Sequence, residues 1–103
     1  VLVVEGFLLF HEKALSSMFD ATFWLDADCE ICCSRRHQRE ARHRDFETFA
    51  EWYHDVVWSH FLTYRDAQLN HSPQALRLDA RAGAEALAEG AEAHCRKHLS
   101  LAV

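Results

Sequence analysis

Apolar and polar residues follow one another in blocks that predict an α/β fold. Residues 1–4, Val-Leu-Val-Val, form a continuous apolar run of the kind found in strands buried on both faces of a parallel sheet. Shorter apolar segments at residues 21–25 and 75–78 predict two further strands. Because helical patterns separate these segments, we predict three parallel strands with helices packed on the sheet.

Apolar positions recur at steps of three and four in the segments between the predicted strands. This pattern predicts a short helix at residues 13–19 and a second helix at about residues 29–42, for which Asp28 is the expected N-cap. Two further helices are expected at residues 52–69 and 84–99. The predicted order is therefore strand, helix, strand, helix, helix, strand, helix.

The composition is that of a globular protein and excludes several classes of function. Half of the 103 residues are hydrophobic and 26% are charged, with one proline and three glycines. The formal net charge of −5 argues against nucleic acid as a partner. No apolar run approaches the roughly 20 residues that span a bilayer, and no signal-peptide pattern is visible, so we expect a cytoplasmic protein without a membrane partner.

The chain begins inside its first predicted strand, and its only methionine is Met18. A strand as apolar as residues 1–4 needs neighbours on both edges and helices over both faces. Only two other strands are predicted, so we expect residues 1–103 to be part of a single larger domain.

Three of the four cysteines lie within five residues, in a predicted helix. This is poor geometry for a disulfide framework, so free thiols in a reducing compartment are expected. The spacing of Cys29 and Cys32 leaves open a zinc site completed by His94 and His98. The alternative is that the cysteines pack in the interior while the histidines lie on a polar helix face.

Glu5 directly follows the first predicted strand. An acid at the carboxyl end of a parallel strand lies at the edge of the sheet where α/β proteins bind ligands. In enzymes that handle phosphate, such an acid holds Mg²⁺, directly or through water, or orients the nucleophile. The alternative is an acid that only faces solvent.

Five of the nine arginines fall between residues 35 and 44, namely Arg35, Arg36, Arg39, Arg42 and Arg44. Arg35 and Arg39 share a helix face, and like charges at this spacing destabilise an isolated helix by a few tenths of a kcal/mol. An anion should compensate, and phosphate suits a guanidinium because it accepts two hydrogen bonds at once. The alternative is a solvated basic face paired with Glu40, Asp45 and Glu47.

Several segments resemble a known enzyme family. Residues 3–10, Val-Val-Glu-Gly-Phe-Leu-Leu-Phe, resemble the strand and loop of the nicotinamide riboside kinases, which are uridine-kinase-like P-loop nucleoside kinases. In the same order, residues 23–25 and 78–79 resemble later strands of the family, and residues 32–39 resemble its lid helix. Residues 53–65 resemble a family segment that ends in Val-Trp-Pro-x-Tyr-Leu-x-Tyr-Arg, and the matching residues here are Val57, Trp58, Leu62, Tyr64 and Arg65. The resemblance covers nearly all of the chain but only about the C-terminal half of such a kinase.

This resemblance implies a partial P-loop kinase fold with an arginine-rich lid. The implied reaction is transfer of the γ-phosphate of ATP, with Mg²⁺, to the 5′-hydroxyl of a riboside in NAD salvage. The resemblance implies that Glu5 lies at the reaction centre beside the metal ion and that Arg36 contacts the riboside hydroxyls. The nucleotide-binding residues that it implies are Arg35, Arg39, Glu40, Ala41, Ala82 and Gly83.

Two other functions remain open. One is a uridine or cytidine kinase, and the other is a truncated, non-catalytic interaction protein. The family's phosphate-binding loop, Gly-x-x-x-x-Gly-Lys-Ser/Thr, and its catalytic-base aspartate are expected upstream and do not occur in these residues. We therefore expect the 103 residues alone to be inactive.

Overall fold

The computed structural model describes residues 1–99. The elements are α1 (Lys13–Ser16), β1 (Phe23–Asp26), α2 (Cys29–Glu40), α3 (Phe46–Trp52), a π-helical segment (Tyr53–Trp58), α4 (Ser59–His71), β2 (Leu76–Asp79) and α5 (Ala84–Leu99). The chain divides into two compact units. We call residues 1–26 together with the described residues from 64 onward the sheet unit, and residues 27–63 the helical unit.

The mixed α/β class is confirmed, and two of the three predicted strands form. Strands β1 and β2 are parallel, with Phe23 opposite Leu76 and Leu25 opposite Leu78. Backbone hydrogen bonds extend the pairing past both ends, from Leu76 N–H to the Thr22 carbonyl at 3.0 Å and from Ala80 N–H to the Asp26 carbonyl at 2.8 Å. Both strands begin one or two residues later than the sequence pattern predicts.

The prediction of a strand at residues 1–4 is wrong. These residues have no regular structure, and Val1, Leu2 and Val3 are 97%, 88% and 83% exposed. A strand exists only through backbone pairing with a neighbour, and within residues 1–99 the sheet consists of β1 and β2 alone, paired with each other. The apolar pattern of residues 1–4 therefore indicates that this segment favours burial, but residues 1–99 contain no strand that pairs with it.

The segment at residues 7–10 is a turn that places an aromatic ring in the interior of the sheet unit. Phe10 is buried, and its ring lies 6.3 Å from that of Phe19 and 6.4 Å from that of Trp24 on β1, measured between centroids. Aromatic pairs at this separation add to the energy of area burial. The second apolar stretch of the chain thus packs against the start of the sheet.

A buried amide on α4 holds this turn in place. Gln68 is 2% exposed; its Oε1 accepts a hydrogen bond from Phe10 N–H at 3.2 Å, and its Nε2 donates to the Phe7 carbonyl at 3.4 Å. One turn later, His71 Nδ1 donates to the Phe10 carbonyl at 2.7 Å. These bonds satisfy backbone groups that no strand or helix partner satisfies.

Helix α5 has the predicted bounds and packs on β2. Its half-buried face includes Leu87, Ala91 and Cys95, as the spacing predicts. A Cβ atom on Gly90 would come within 3.2 Å of Leu78 Cδ2, so the glycine allows the helix to approach the strand closely. No helix within residues 1–99 is both long and apolar enough for a membrane span.

The helical unit is built from α2, α3 and the π-helical segment. Asp28 caps α2, since its Oδ1 accepts from Ile31 N–H at 2.9 Å, which confirms the predicted N-cap. Asp45 caps α3 in the same way through Thr48 N–H at 2.9 Å. The core of this unit consists of Cys33, Ala41, Phe49 and Tyr53.

The helix predicted at residues 52–69 starts earlier and changes its winding. It begins at Phe46 as α3, continues through the π-helical segment and ends at His71 as α4. At the junction Ser59 Oγ donates to the Asp55 carbonyl at 2.7 Å, and His60 Nδ1 donates to the Val56 carbonyl at 2.6 Å. These side chains satisfy carbonyls at the change of winding, a feature that apolar spacing does not encode.

Replacing Gln68 by leucine should lower the free energy of unfolding by about 2 kcal/mol. The substitution keeps the side chain's approximate volume and removes both hydrogen bonds to the turn, which leaves a buried backbone N–H without its partner. The measurement is denaturant unfolding followed by circular dichroism. Gln38→Leu, the same change at an exposed position of α2, is the matched control. Equal loss of stability in the two variants would contradict a special role for the buried amide.

Candidate functional site

Helix α2 brings the predicted arginines together in the helical unit. Cys33 faces the core, whereas Arg35 and Arg39 are exposed and Arg36 is half-buried. Ala41, which follows the helix, is buried in the core, and its N–H donates to the His37 carbonyl at 2.9 Å. The helix therefore presents guanidinium groups outward from a fixed apolar base.

One carboxylate holds two of these arginines. Glu40 Oε2 accepts from Arg36 Nε at 3.2 Å, and Glu40 Oε1 accepts from Arg39 Nε at 3.2 Å and Nη2 at 2.9 Å. The hydrogen bonds from Arg39, followed by those from Arg36, hold the pKa of Glu40 below its ordinary value. Glu40 is thus ionised at neutral pH and supplies the negative charge that the arginine spacing called for.

The alternative prediction, in which acids of the chain itself pair with the basic helix face, therefore holds for Glu40. It does not hold for Asp45, whose carboxylate caps α3 through the N–H and hydroxyl of Thr48, both at 2.9 Å. Those bonds hold the pKa of Asp45 below its ordinary value. Arg36 and Arg39 thus share the carboxylate of Glu40, and Glu40 is an exposed side chain.

Trp52 is a part of this site that the sequence pattern did not reveal. The Arg36 guanidinium carbon lies 5.5 Å from the centroid of the Trp52 ring, in a cation–π contact. Arg36 is therefore oriented by Trp52 as well as by Glu40. The two residues lie on different helices, so neither spacing nor charge pattern links them.

The same indole ring borders a shallow depression of about 280 Å³. Its other lining residues are Arg44, Asp45, Thr48 and Phe49. The volume lies just below the range of small-ligand pockets, and the lining combines a flat aromatic surface with charged groups. Trp52 therefore contributes both to this depression and to the contact that orients Arg36.

The thiols of α2 lack the lowered pKa that marks a reactive cysteine. Burial is the main cause that raises the pKa of Cys29, of Cys32 and of Cys33, and at Cys32 the charge of Arg35 and a hydrogen bond from Tyr53 only partly oppose it. Burial also raises the pKa of Tyr53 to about 12. The predicted free thiols are confirmed, and those of α2 serve as packing groups.

The zinc site suggested by the sequence would combine Cys29 and Cys32 of the helical unit with His94 and His98 of the sheet unit. No three histidine, cysteine, aspartate or glutamate side chains within residues 1–99 come together as a metal site. Residues with the right spacing along the chain lie on separate elements, α2 and α5, and spacing alone does not bring their side chains together.

Glu5 lies in the sheet unit, exposed, in the irregular segment before the turn at residues 7–10. Gly6 beside it has no atom within 4 Å of the position where a Cβ would be. Because residues 1–4 form no strand, Glu5 does not lie at the end of a strand. Its catalytic role is a prediction that rests on the family resemblance.

The carboxyl ends of both strands carry an acid with its own arginine, which sequence reasoning missed. Asp26 forms a two-pronged ion pair with Arg77, at 2.9 Å to Nε and 2.7 Å to Nη2. Asp79 pairs with Arg81, at 3.2 Å to both Nε and Nη2. The charges at this edge of the sheet are thus balanced within the edge itself.

Ala82 and Gly83 form the turn between β2 and α5. Ala82 N–H donates to the Asp79 carbonyl at 3.0 Å, and the Gly83 carbonyl accepts from Leu87 N–H at 3.0 Å as the first bond of α5. Both residues are exposed, and Gly83 has open space where a Cβ would lie. The turn therefore offers an accessible backbone surface.

Two curated proteins are similar to the chain over most of its length. Nicotinamide riboside kinase 1 of Homo sapiens is 29% identical over 87 residues, which is 84% of this chain and 42% of that kinase. Uridine kinase of Schizosaccharomyces pombe is 27% identical over 74 residues, which is 70% of this chain and 16% of that protein. The chain spans less than half the length of either relative. No family model and no solved structure matches the chain.

The resemblance to the nicotinamide riboside and uridine kinases is therefore confirmed. Glu5, Ala82 and Gly83 lie in the sheet unit, whereas Arg35, Arg36, Arg39, Glu40 and Ala41 lie in the helical unit.

Replacing Glu40 by glutamine should tighten the binding of inorganic tripolyphosphate by roughly three- to tenfold. A polyphosphate would no longer have to displace a carboxylate from Arg36 and Arg39. The measurement is isothermal titration calorimetry on the full chain at low salt. Glu47→Gln removes the same charge from an exposed position in the first turn of α3 and should leave the Kd within about twofold. Equal Kd values for the two variants would show that Glu40 does not compete with phosphate.

Proposed function

We propose that the chain is the C-terminal part of a nucleoside kinase domain that transfers the γ-phosphate of ATP to the 5′-hydroxyl of a riboside. The observation that carries the proposal is similarity to nicotinamide riboside kinase 1 over 84% of the chain. Nicotinamide riboside is therefore the first candidate substrate, and the reaction belongs to NAD salvage. The phosphate-binding loop and the catalytic base belong to the N-terminal half of such a domain. The proposed enzyme acts on small molecules in the cytoplasm.

In this proposal α2 is the lid helix. Arg35 and Arg39 bind the phosphates of ATP, and Arg36 binds the riboside hydroxyls. Guanidinium groups at these positions stabilise the charge that develops on the transferred phosphoryl group. The pair between Arg39 and Glu40 is solvent-exposed, and exposed ion pairs are weak, so a polyphosphate with several charges can displace the carboxylate.

Mg²⁺ and the adenine of the nucleotide are assigned to the sheet unit. Glu5 is an exposed carboxylate and is absent from the ion pairs described for residues 1–99. Mg²⁺ in kinases typically takes one or two carboxylates, together with substrate phosphates and water, so a single acid with these properties fits the ion. When bound, the ion neutralises charge on the phosphates of ATP. The exposed turn at Ala82 and Gly83 lies beside the adenine in this proposal.

A uridine or cytidine kinase is the second candidate. The similarity to uridine kinase over 70% of the chain favours it. A non-catalytic interaction protein is the third candidate. The exposed apolar side chains of residues 1–3 favour that function, since large exposed apolar patches mark interaction sites.

A substrate panel separates these three functions. The full-length protein that carries this chain should phosphorylate nicotinamide riboside with a kcat/KM at least about tenfold above that for uridine. The 103 residues alone should show no turnover with either. The measurement is ADP release coupled to product detection by mass spectrometry. A preference for uridine would establish the second candidate. Absence of any turnover by the full-length protein would favour the third candidate. Turnover by the 103 residues alone would contradict the assignment of the phosphate-binding loop to another segment.

Two arginine variants test the roles on α2 in the full-length enzyme. Arg39→Ala should lower kcat by about 10²-fold, because charge on the transferred phosphoryl group loses a donor. Arg36→Ala should mainly raise the KM for the riboside. Arg96→Ala, which removes an exposed arginine from an i,i+4 ion pair on α5, is the matched control and should leave both parameters unchanged. Equal effects of all three variants would contradict the proposed roles.

A further inference from the structure

A second cleft lies in the sheet unit, at the opposite end of the strands from the Asp26–Arg77 and Asp79–Arg81 pairs. Its volume is about 460 Å³, and it is lined by residues 19–22 before β1 and residues 70–74 before β2, together with parts of α1 and α5. Both strands run away from this cleft because they are parallel. None of the residues assigned above to phosphoryl transfer lines it.

Two imidazoles on α5 line this cleft side by side. His94 and His98 are four residues apart in the last turns of the helix, and their ring centroids are 4.3 Å apart with the planes at 51°. Side chains at this spacing lie on the same helix face. Two histidines at i and i+4 can bind one divalent metal ion from neighbouring turns, as they do in helical zinc motifs.

His94 is already oriented by the kind of contact that metal-binding histidines have. One of its ring nitrogens donates to the backbone carbonyl of Thr22, and its ring meets that of Phe23 edge-on at 5.0 Å. The same carbonyl accepts from Leu76 N–H at 3.0 Å, so it belongs to the sheet and does not move freely. A hydrogen bond from one ring nitrogen to a backbone carbonyl is the contact that commonly orients a metal-binding imidazole, and it leaves the other ring nitrogen to face the ion.

The surroundings admit a cation in spite of two lysines. The last turn of α5 carries the negative end of the helix dipole, and Asp20 also lines the cleft. Lys13 on the cleft wall and Lys97 between the two histidines oppose a cation by simple charge repulsion. Imidazole nitrogen overcomes such repulsion for borderline transition metals, for which it is a preferred ligand, and not for Mg²⁺ or Ca²⁺, which require oxygen ligands.

We propose that His94 and His98 form a binding site for a borderline divalent transition-metal ion, with Zn²⁺ and Ni²⁺ as representative ions. The two imidazoles hold the ion, and water completes its coordination. No third metal-binding side chain joins them within residues 1–99, so the ion is exchangeable and not a folding cofactor. The site is separate from the Mg²⁺ site of the proposed kinase and does not depend on that function.

The test is calorimetric titration of the full chain with ZnCl₂ and, separately, NiCl₂ under reducing conditions. We expect one ion per chain, no competition from millimolar Mg²⁺, and at least about tenfold weaker binding in His94→Ala and in His98→Ala. His54→Ala is the matched control, because His54 is an exposed helical imidazole with no histidine four residues before or after it. That variant should bind like the wild type.

If His94→Ala loses structure, His98→Ala alone tests whether the two imidazoles bind the ion. His98 is exposed, and circular dichroism can verify that its variant folds. Broadening of the His94 and His98 imidazole signals by Ni²⁺ in NMR spectra is a second readout. Binding that persists in His98→Ala but is lost in Cys32→Ser would assign the ion to the thiols of α2 and overturn the proposal. Absence of stoichiometric binding to the wild-type chain would overturn it as well.

Discussion

The sheet unit depends on the buried amide of Gln68. The turn at residues 7–10 has backbone groups that no strand or helix bonds, and burying them without partners would oppose folding. Because Gln68 both accepts from Phe10 N–H and donates to the Phe7 carbonyl, the turn can enter the interior and bring the Phe10 ring against Trp24 of β1. An apolar side chain at this position would fill the space but could not make either bond. A single polar residue thus links the segment that carries Glu5 to the helix that precedes β2.

How much of this arrangement the sequence predicts depends on the range of the interactions involved. Local signals were sufficient for β1, β2, α2 and α5, since each has an apolar period or a cap such as Asp28 within its own span. The strand at residues 1–4 failed because its pattern specifies burial but not the partner that provides it. Gln68 follows Tyr64 at a helical step of four, yet spacing does not distinguish a hydrogen-bonding core residue from an apolar one. The contact of Arg36 with Trp52 links separate helices, which no local pattern reports.

The arginines of α2 illustrate how a chain with a net charge of −5 can hold a concentrated positive patch. Like charges on neighbouring turns require an anion, and Glu40 supplies one from within the same helix. This internal anion keeps Arg36 and Arg39 side by side without a ligand. Because the ion pair between Glu40 and Arg39 is exposed, water screens it, and an anionic ligand can replace the carboxylate at little cost in free energy. A buried ion pair would resist such an exchange. The contact with Glu40 can therefore hold the arginines in place and can also be replaced by a contact with phosphate.

The two ends of the β1–β2 sheet differ in the chemistry that their charges permit. At the carboxyl ends, Asp26 and Asp79 are each paired with an arginine, so the carboxylates do not present unbalanced negative charge to an anionic ligand. This balance leaves no unpaired carboxylate of β1 or β2 beside the turn at Ala82 and Gly83, where the proposed kinase function places the adenine. At the amino ends, the imidazoles of α5 provide nitrogen ligands, which suit a transition metal. Because the strands are parallel, all their carboxyl ends meet at one edge and all their amino ends at the other, so the topology itself keeps the two kinds of ligand apart.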